Sequence, residues 1–239
     1  MHMSKSIESE TLSTQIRDSL RDDILAGRWA AGDKLQLVAL TKHYKTSSTV
    51  IREALTRLVG DRLVVLKPNR GFFVPTLSLD EIKDITELRC VSEEFGIGLA
   101  VKRGDLAWES ELIAAHHTLE RTPYRDKSAN GELTEAWDRA HQAFHAKLLE
   151  ACGVPVLIDL ASTLSDLAQL YGRWAGRATR NMDRDIAKEH RDIMAAALDR
   201  NADAASRLLR THYETTLKAI LKSGVEKEAA ERGLEKTNA

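Results

Sequence analysis

Apolar positions along the 239-residue chain change their rhythm near residue 75. Before that point, Leu12, Ile16, Leu20 and Ile24 recur every four residues, a single helical stripe that predicts a helix over Ser9–Ala26 with Gly27 as its stop. Leu37, Leu40 and Tyr44 predict a shorter helix after the turn Ala30-Ala31-Gly32-Asp33. The hydroxyls of Thr46-Ser47-Ser48-Thr49 then offer caps to a third, with its stripe at Ile51, Ala54, Leu55 and Leu58. Next come two β-rich runs, Leu63-Val64-Val65-Leu66 and Phe72-Phe73-Val74, separated by the polar turn Lys67-Pro68-Asn69-Arg70-Gly71. Two short helices joined by a turn and followed by a basic-tipped hairpin make a winged helix-turn-helix.

Beyond Pro75-Thr76-Leu77-Ser78 the β signal fades and the helical period takes over. Ser78 and Glu81 have the spacing of a capping box for a helix from Leu79 to about Lys102, stopped near Gly104. Further helical stretches fall at 106–120, 132–151, 154–176, 183–200 and 202–222. The expected fold is therefore mostly α. A winged helix-turn-helix over 1–75 and a linker at 76–78 precede an all-α bundle over 79–222, and the charged tail 223–239 is expected to fray.

Composition narrows the class. Hydrophobic residues make up 43% and charged residues 30%, as in a soluble globular protein. No apolar run is long enough for a membrane span and the N-terminus lacks a secretory core, so the expected location is cytoplasmic. Cys90 and Cys152 lie far apart outside any Cys-x-x-Cys spacing and are expected to be buried thiols. The net charge of −1 conceals an asymmetry: residues 1–75 carry 12 Lys or Arg against 8 Asp or Glu, and residues 76–239 carry 23 against 28. Between Lys34 and Gly71 the balance is eight basic to two acidic, a density suited to phosphates. On the third helix, Ser48, Thr49, Arg52 and Thr56 occupy the face opposite the apolar stripe, where they can reach base edges or phosphates.

Histidine spacing suggests a second site. His141 and His145, four residues apart, project from one helical face as a chelating pair does. His190 shares a stripe with Ile186, Ile193 and Ala197, and His212 shares one with Ala205 and Leu208. Each lies eleven residues from Asn201, where the last two helices meet, so in an antiparallel hairpin they sit level and face one another. A lone histidine on an apolar stripe is usually a core residue, but four converging ones predict a divalent transition metal, zinc or nickel foremost, because imidazoles suit those ions better than calcium or magnesium.

The ordered run Ile51-Arg52-Glu53-Ala54-Leu55, Arg57-Leu58, Arg62-Leu63-Val64 and Pro68-Asn69-Arg70-Gly71-Phe72-Phe73-Val74 resembles the GntR family of winged-helix regulators. The resemblance implies DNA contacts from Ser47, Thr49 and Arg52, with Gly71 beside Arg70 bringing the wing to the minor groove. Ser48 stands where the family usually has arginine, which removes a bidentate donor for guanine and predicts a different operator at that position. Val50 replaces a common proline. The second half resembles the FCD domain of the FadR-type branch through Glu87-Leu88-Arg89 with Glu93, Phe144-His145, Glu189-His190 and His212. That branch implies a homodimer, a pseudo-palindromic double-stranded DNA operator and a small organic acid effector, with Arg89 the first residue expected to pair with its carboxylate and Arg173 and Arg177 further candidates. His141 occupies the place of the branch's usual aspartate ligand, which leaves the site one unit more positive and favours an anion on the metal.

Two other functional classes fit the sequence less well. A histidine-ligated metal enzyme fused to a DNA-binding module would need a general base, and no carboxylate has the spacing that Glu has in His-Glu-x-x-His. A ligand-independent structural DNA binder leaves the histidines without a role. The reading is therefore a transcription regulator, a repressor controlled by its effector, and not an enzyme.

Overall fold

A computed structural model describes residues 11–76, 78–125, 133–175 and 184–222. The chain divides into two compact units, Met1–Thr76 and Leu77–Ala239. Arg177 and the 223–239 tail lie outside the described residues, as do the expected helix ends at Ser9, 132, 176 and 183.

In the first unit, α1 (Leu12–Leu25) is capped by Thr11, whose side chain accepts from the Thr14 N–H. After it come β1 (Lys34–Leu35), α2 (Leu37–His43), α3 (Ser48–Gly60), β2 (Val65–Lys67) and β3 (Gly71–Phe73). The expected stripes meet in one core: Leu20, Ile24, Ile51, Leu55 and Leu58 are fully buried where α1 packs on α3. The wing begins two residues later than expected. Leu63 and Val64 do not enter the strand; their N–H groups bond back to the Leu58 carbonyl while their side chains close the core. β3 lies between β2 and β1, antiparallel to both, with Phe72 opposite Leu66 and Leu35. β1, too short to leave a periodic signal, was not anticipated. The wing turn needs its particular residues, since Asn69 has φ 58° and Gly71 φ 98°, both in the left-handed region.

In the second unit, α4 (Leu79–Arg103), α5 (Leu106–Arg121), α6 (Glu135–Glu150), α7 (Pro155–Ala175), α8 (Ile186–Leu198) and α9 (Ala202–Lys222) form the expected all-α bundle. Helix α4 packs against α9, α7 and α6, α5 against α6 and α8, and α8 against α9. Ser78 caps α4 by accepting from Glu81 N–H, but Glu81 turns its own carboxylate to the Tyr171 hydroxyl, so the capping box is half made. Ile97, Leu112, Phe144, Leu148, Ile193 and Leu209 fill the centre. Both cysteines are buried and unpaired. Among the described residues no helix is long and apolar enough to cross a membrane.

Candidate functional site

Helix α3 owes its start to Ser47, whose hydroxyl accepts from the Val50 N–H at 3.3 Å. Ser47 thus has a structural role beside the one the resemblance implied. The apolar stripe holds α3 against α1 and leaves Ser48, Thr49 and Arg52 exposed along its free face. Thr56, on the same face, donates its hydroxyl to the Arg52 carbonyl and is partly withdrawn from intermolecular work. At the wing, Arg70 is exposed and Gly71 half-buried, while Lys34 and Lys67 stack their ammonium groups over Phe73 at 5.9 and 4.6 Å. The unit therefore holds its cations outward on a rigid apolar base.

In the second unit His141, His145, His190 and His212 come together, each offering one nitrogen, with all four atoms within 4.8 Å of one another. Helix α6 supplies the first two one turn apart, and their Nε2 atoms lie 3.1 Å apart. The hairpin of α8 and α9 brings His190 and His212 level, with ring centroids 4.8 Å apart. His212 sits over Ala205 and Leu209, not over Leu208 as the spacing suggested; Leu208 packs only at the margin of the core. Ligand nitrogens around an ion at ~2.1 Å can be no more than ~4.2 Å apart, so the cluster needs only a slight contraction to close on one.

Three of the four rings are oriented by a neighbour outside the cluster. Nδ1 of His212 lies 2.8 Å from a Glu189 carboxylate oxygen, and Arg184 grips that carboxylate with Nε and Nη2 at 2.8 and 2.6 Å while donating to the His212 carbonyl. Nδ1 of His145 faces the Tyr213 hydroxyl at 3.2 Å; that hydroxyl donates to Glu93, which also accepts from Arg89 Nε at 2.7 Å. Trp137 stacks on His141 with centroids 4.6 Å apart and planes 16° from parallel. The backing groups turn the Nε2 atoms of His145 and His212 inward, and His190 Nε2 is buried without any hydrogen-bond partner. An orphaned buried acceptor amid three other imidazoles fits a metal ion as its missing partner.

Burial makes the cluster neutral. Desolvation, helped by the neighbouring imidazoles, pushes His141 and His145 well below the ordinary histidine value, takes His190 down to about 2, and lowers His212 despite its bond to Glu189. Burial acts to raise Glu189, but the bonds from Arg184 and His212 overcome it and hold the carboxylate at about 2. Four neutral imidazoles are the protonation state that metal binding requires.

The arginines expected to meet an effector have separate fates. Arg89 is buried beside the cluster, stacked over Tyr213 at 3.9 Å and paired with Glu93. Arg173 instead forms an ion pair with buried Asp138 on α6 and donates at 2.7 Å to the carbonyl of Leu133, which precedes that helix. Two of its three guanidinium nitrogens thus bind the bundle itself, while Nε is buried without a hydrogen-bond partner. Sequence reasoning missed Arg184, Tyr213 and Trp137. Only the turn-to-turn spacing of Tyr213 next to His212 and Trp137 four residues before His141 hinted at the last two.

Comparison with known proteins places this site in its family. Residues 12–74 match "Bacterial regulatory proteins, gntR family" and residues 84–215 match the FCD domain. The repressor GlaR of Escherichia coli strain K12 is 33% identical over 84% of this chain and 92% of its own. The regulator BphR of Paraburkholderia xenovorans strain LB400 is 32% identical over 86% and 84%. Among solved structures, a GntR transcriptional regulator from Rhodococcus sp. RHA1 covers 87% of this chain and 97% of its own with TM-score 0.71 at 25% identity. McbR/YncC of E. coli, with TM-score 0.77 at 19% identity over 89% and 98%, shares the fold. The chain belongs to the GntR family and carries an FCD domain. It is a DNA-binding transcription regulator, of a family of regulators and not of enzymes.

Proposed function

We propose that this protein is a metal-dependent, effector-controlled repressor that binds a pseudo-palindromic operator as a homodimer. The observation that carries the reading is the four-histidine cluster, three of its rings buried and His141 half-buried, with its unpartnered His190 Nε2. His141, His145, His190 and His212 would hold a divalent transition metal, zinc or nickel, which supplies a Lewis-acidic centre for an anion. Arg89 then offers its terminal nitrogens to the carboxylate of a small organic acid, with Glu93 and Tyr213 fixing its side chain. Glu189 comes near the cluster, but behind His212 and locked by Arg184, where it orients a ligand and has no reach to a water as a general base. Repression is supported by two relatives that are repressors, GlaR and the galactonate operon transcriptional repressor of E. coli.

Dimerisation is supported by α4. Its Arg89, Glu93 and Ile97 face the bundle, yet Leu88, Val91 and Phe95 stand on the opposite face 45–60% exposed, an apolar stripe suited to a second copy of the same helix. Ser47, Ser48, Thr49, Arg52, Arg70 and Gly71 form the DNA-reading set, two copies of which would meet the two half-sites. The effector acts through the covalent path from α4 to the winged helix across residues 75–78.

Metal analysis of purified protein, with operator titrations in the metal-loaded and metal-stripped forms, tests the reading. About one ion per subunit and effector-dependent operator binding only in the loaded form are expected. Equal behaviour of the two forms would reduce the histidines to a structural cluster.

A further inference from the structure

A cleft of about 440 Å³ opens between the C-terminal end of α5, the segment that follows it, α6 and the N-terminal turns of α8. Its volume is in the range of sites for small organic ligands. Its walls are mainly flat or aliphatic: Trp137, Tyr124, Leu119, Pro123 and Ile186, with His190 at the inner end. Trp137 and Tyr124 meet edge to face at 4.5 Å, Trp137 resting on His141 and Tyr124 carrying the Arg125 guanidinium over its ring at 4.9 Å. Most of the charged groups on the lining are engaged elsewhere. Glu120 is bound to Arg191, Asp185 caps the backbone of α8, and Arg184 grips Glu189. Burial keeps the lining His116 below its ordinary value, and therefore neutral. Arg121 adds a guanidinium at the exposed end of α5.

We infer that this cleft is a second ligand site, distinct from the anion position between the metal and Arg89, and that it takes a planar aromatic carboxylate with its ring system against Trp137 and Tyr124 and its carboxylate towards Arg121. One of its walls belongs to the histidine cluster and another rests on it. His190 is a cluster member, and Trp137 stacks on His141. A ligand here presses on His190 directly and on His141 through Trp137, without touching the ion. Arg89 lies away from this wall, against Tyr213 and Glu93 on the α4 and α9 side. The cleft ligand thus has its own route to the metal centre, and the two sites are thermodynamically linked through His190 and His141.

The full-length, metal-loaded protein is titrated with 1-naphthoate as the probe and acetate as the control, following tryptophan fluorescence and heat. Naphthoate is expected to quench Trp137 and to bind at least about tenfold more tightly than acetate, because only its rings can use the aromatic walls. Ala187, an exposed residue on the cleft lining, is replaced by tryptophan to fill the space from the solvent side. Ala187→Trp is expected to lose about tenfold or more in naphthoate affinity at unchanged metal content and unchanged melting behaviour. Metal-stripped wild type should still bind naphthoate. Loss of naphthoate binding on stripping would place the probe on the ion and overturn the second site. Full affinity in Ala187→Trp, or equal affinity for acetate, would overturn it too. A protein that holds no metal but binds naphthoate in an Ala187-dependent way would instead sink the metal reading and leave the cleft standing.

Discussion

The two units keep their functional side chains in opposite ways. In the winged helix, Ser48, Thr49, Arg52 and Arg70 are exposed on an apolar base and engage nothing that the fold requires. In the helical bundle His145, His190, His212, Arg89, Glu93 and Asp138 are buried, and all but the Nε2 of His190 are held by neighbouring polar groups. A surface that reads DNA meets a charged polymer whose field reaches it through water, so its cations must stay hydrated until contact. A sensor for a small ion or acid must be desolvated and preorganised, so every polar group in it needs a partner. Removing a charged residue should therefore hurt binding but not folding in the first unit, and folding or metal affinity in the second.

The largest effect is expected at Asp138. Burial raises its carboxyl to about 6 despite the neighbouring Arg173, so the pair contributes little net stability, but each member needs the other. Asp138→Ala should cost about 3–5 kcal/mol by leaving a buried guanidinium uncompensated. The double change Asp138→Leu with Arg173→Met should recover most of it. Urea unfolding measures both, and equal losses in the single and double variants would mean that packing, not charge, is at stake.

His190→Ala should abolish most of the metal-dependent stabilisation, which amounts to about 2.7 kcal/mol at a free metal concentration a hundred times the Kd. The melting temperatures of loaded and stripped protein would then nearly coincide. Glu189→Gln keeps all four imidazoles but removes the charge behind His212, and about a 10- to 100-fold weaker metal affinity is expected. Nitrogen NMR of the His212 ring offers an independent check, since loss of the carboxylate should redistribute its tautomers even without metal. An unchanged tautomer would show that Glu189 does not orient the ring.

In the winged helix, Arg52→Ala should weaken operator binding by about 1–3 kcal/mol with stability within ~0.5 kcal/mol of wild type. A destabilised variant with normal DNA affinity would break the contrast between the units. The smallest change in affinity is expected from Ser48→Arg, which restores a bidentate donor and should move selected operators towards guanine at one position per half-site. Identical selected sequences would place residue 48 away from the bases.

Much of this was legible before any coordinates. The stripes Leu20–Ile24 and Ile51–Leu58 met as the period required, and His141 with His145 needed only helical spacing to be paired. His190 and His212 needed one further step, the level crossing of two helices about Asn201, and the hairpin obeyed it. The pairing of Arg173 with Asp138 was not legible, because an arginine on a helix carries the same sequence signal whether it faces a ligand or a buried aspartate 35 residues away. The wing strand slipped because Leu63 and Val64 have β propensity but are held to the end of α3 by hydrogen bonds to Leu58.

By itself the sequence determined the two architectures, the polar face of α3 and the membership of the four histidines, because helical and strand periods are local properties that repeat wherever the core is on one side. It could not determine what stands behind each ring. Glu189 and Arg184 behind His212, Tyr213 and Glu93 behind His145, and the cleft that shares His190 and Trp137 arise where separate helices meet. Those contacts depend on rotamers and on fractions of an ångström in the approach of side chains from α4, α6, α8 and α9, which no one-dimensional pattern encodes and only close packing selects.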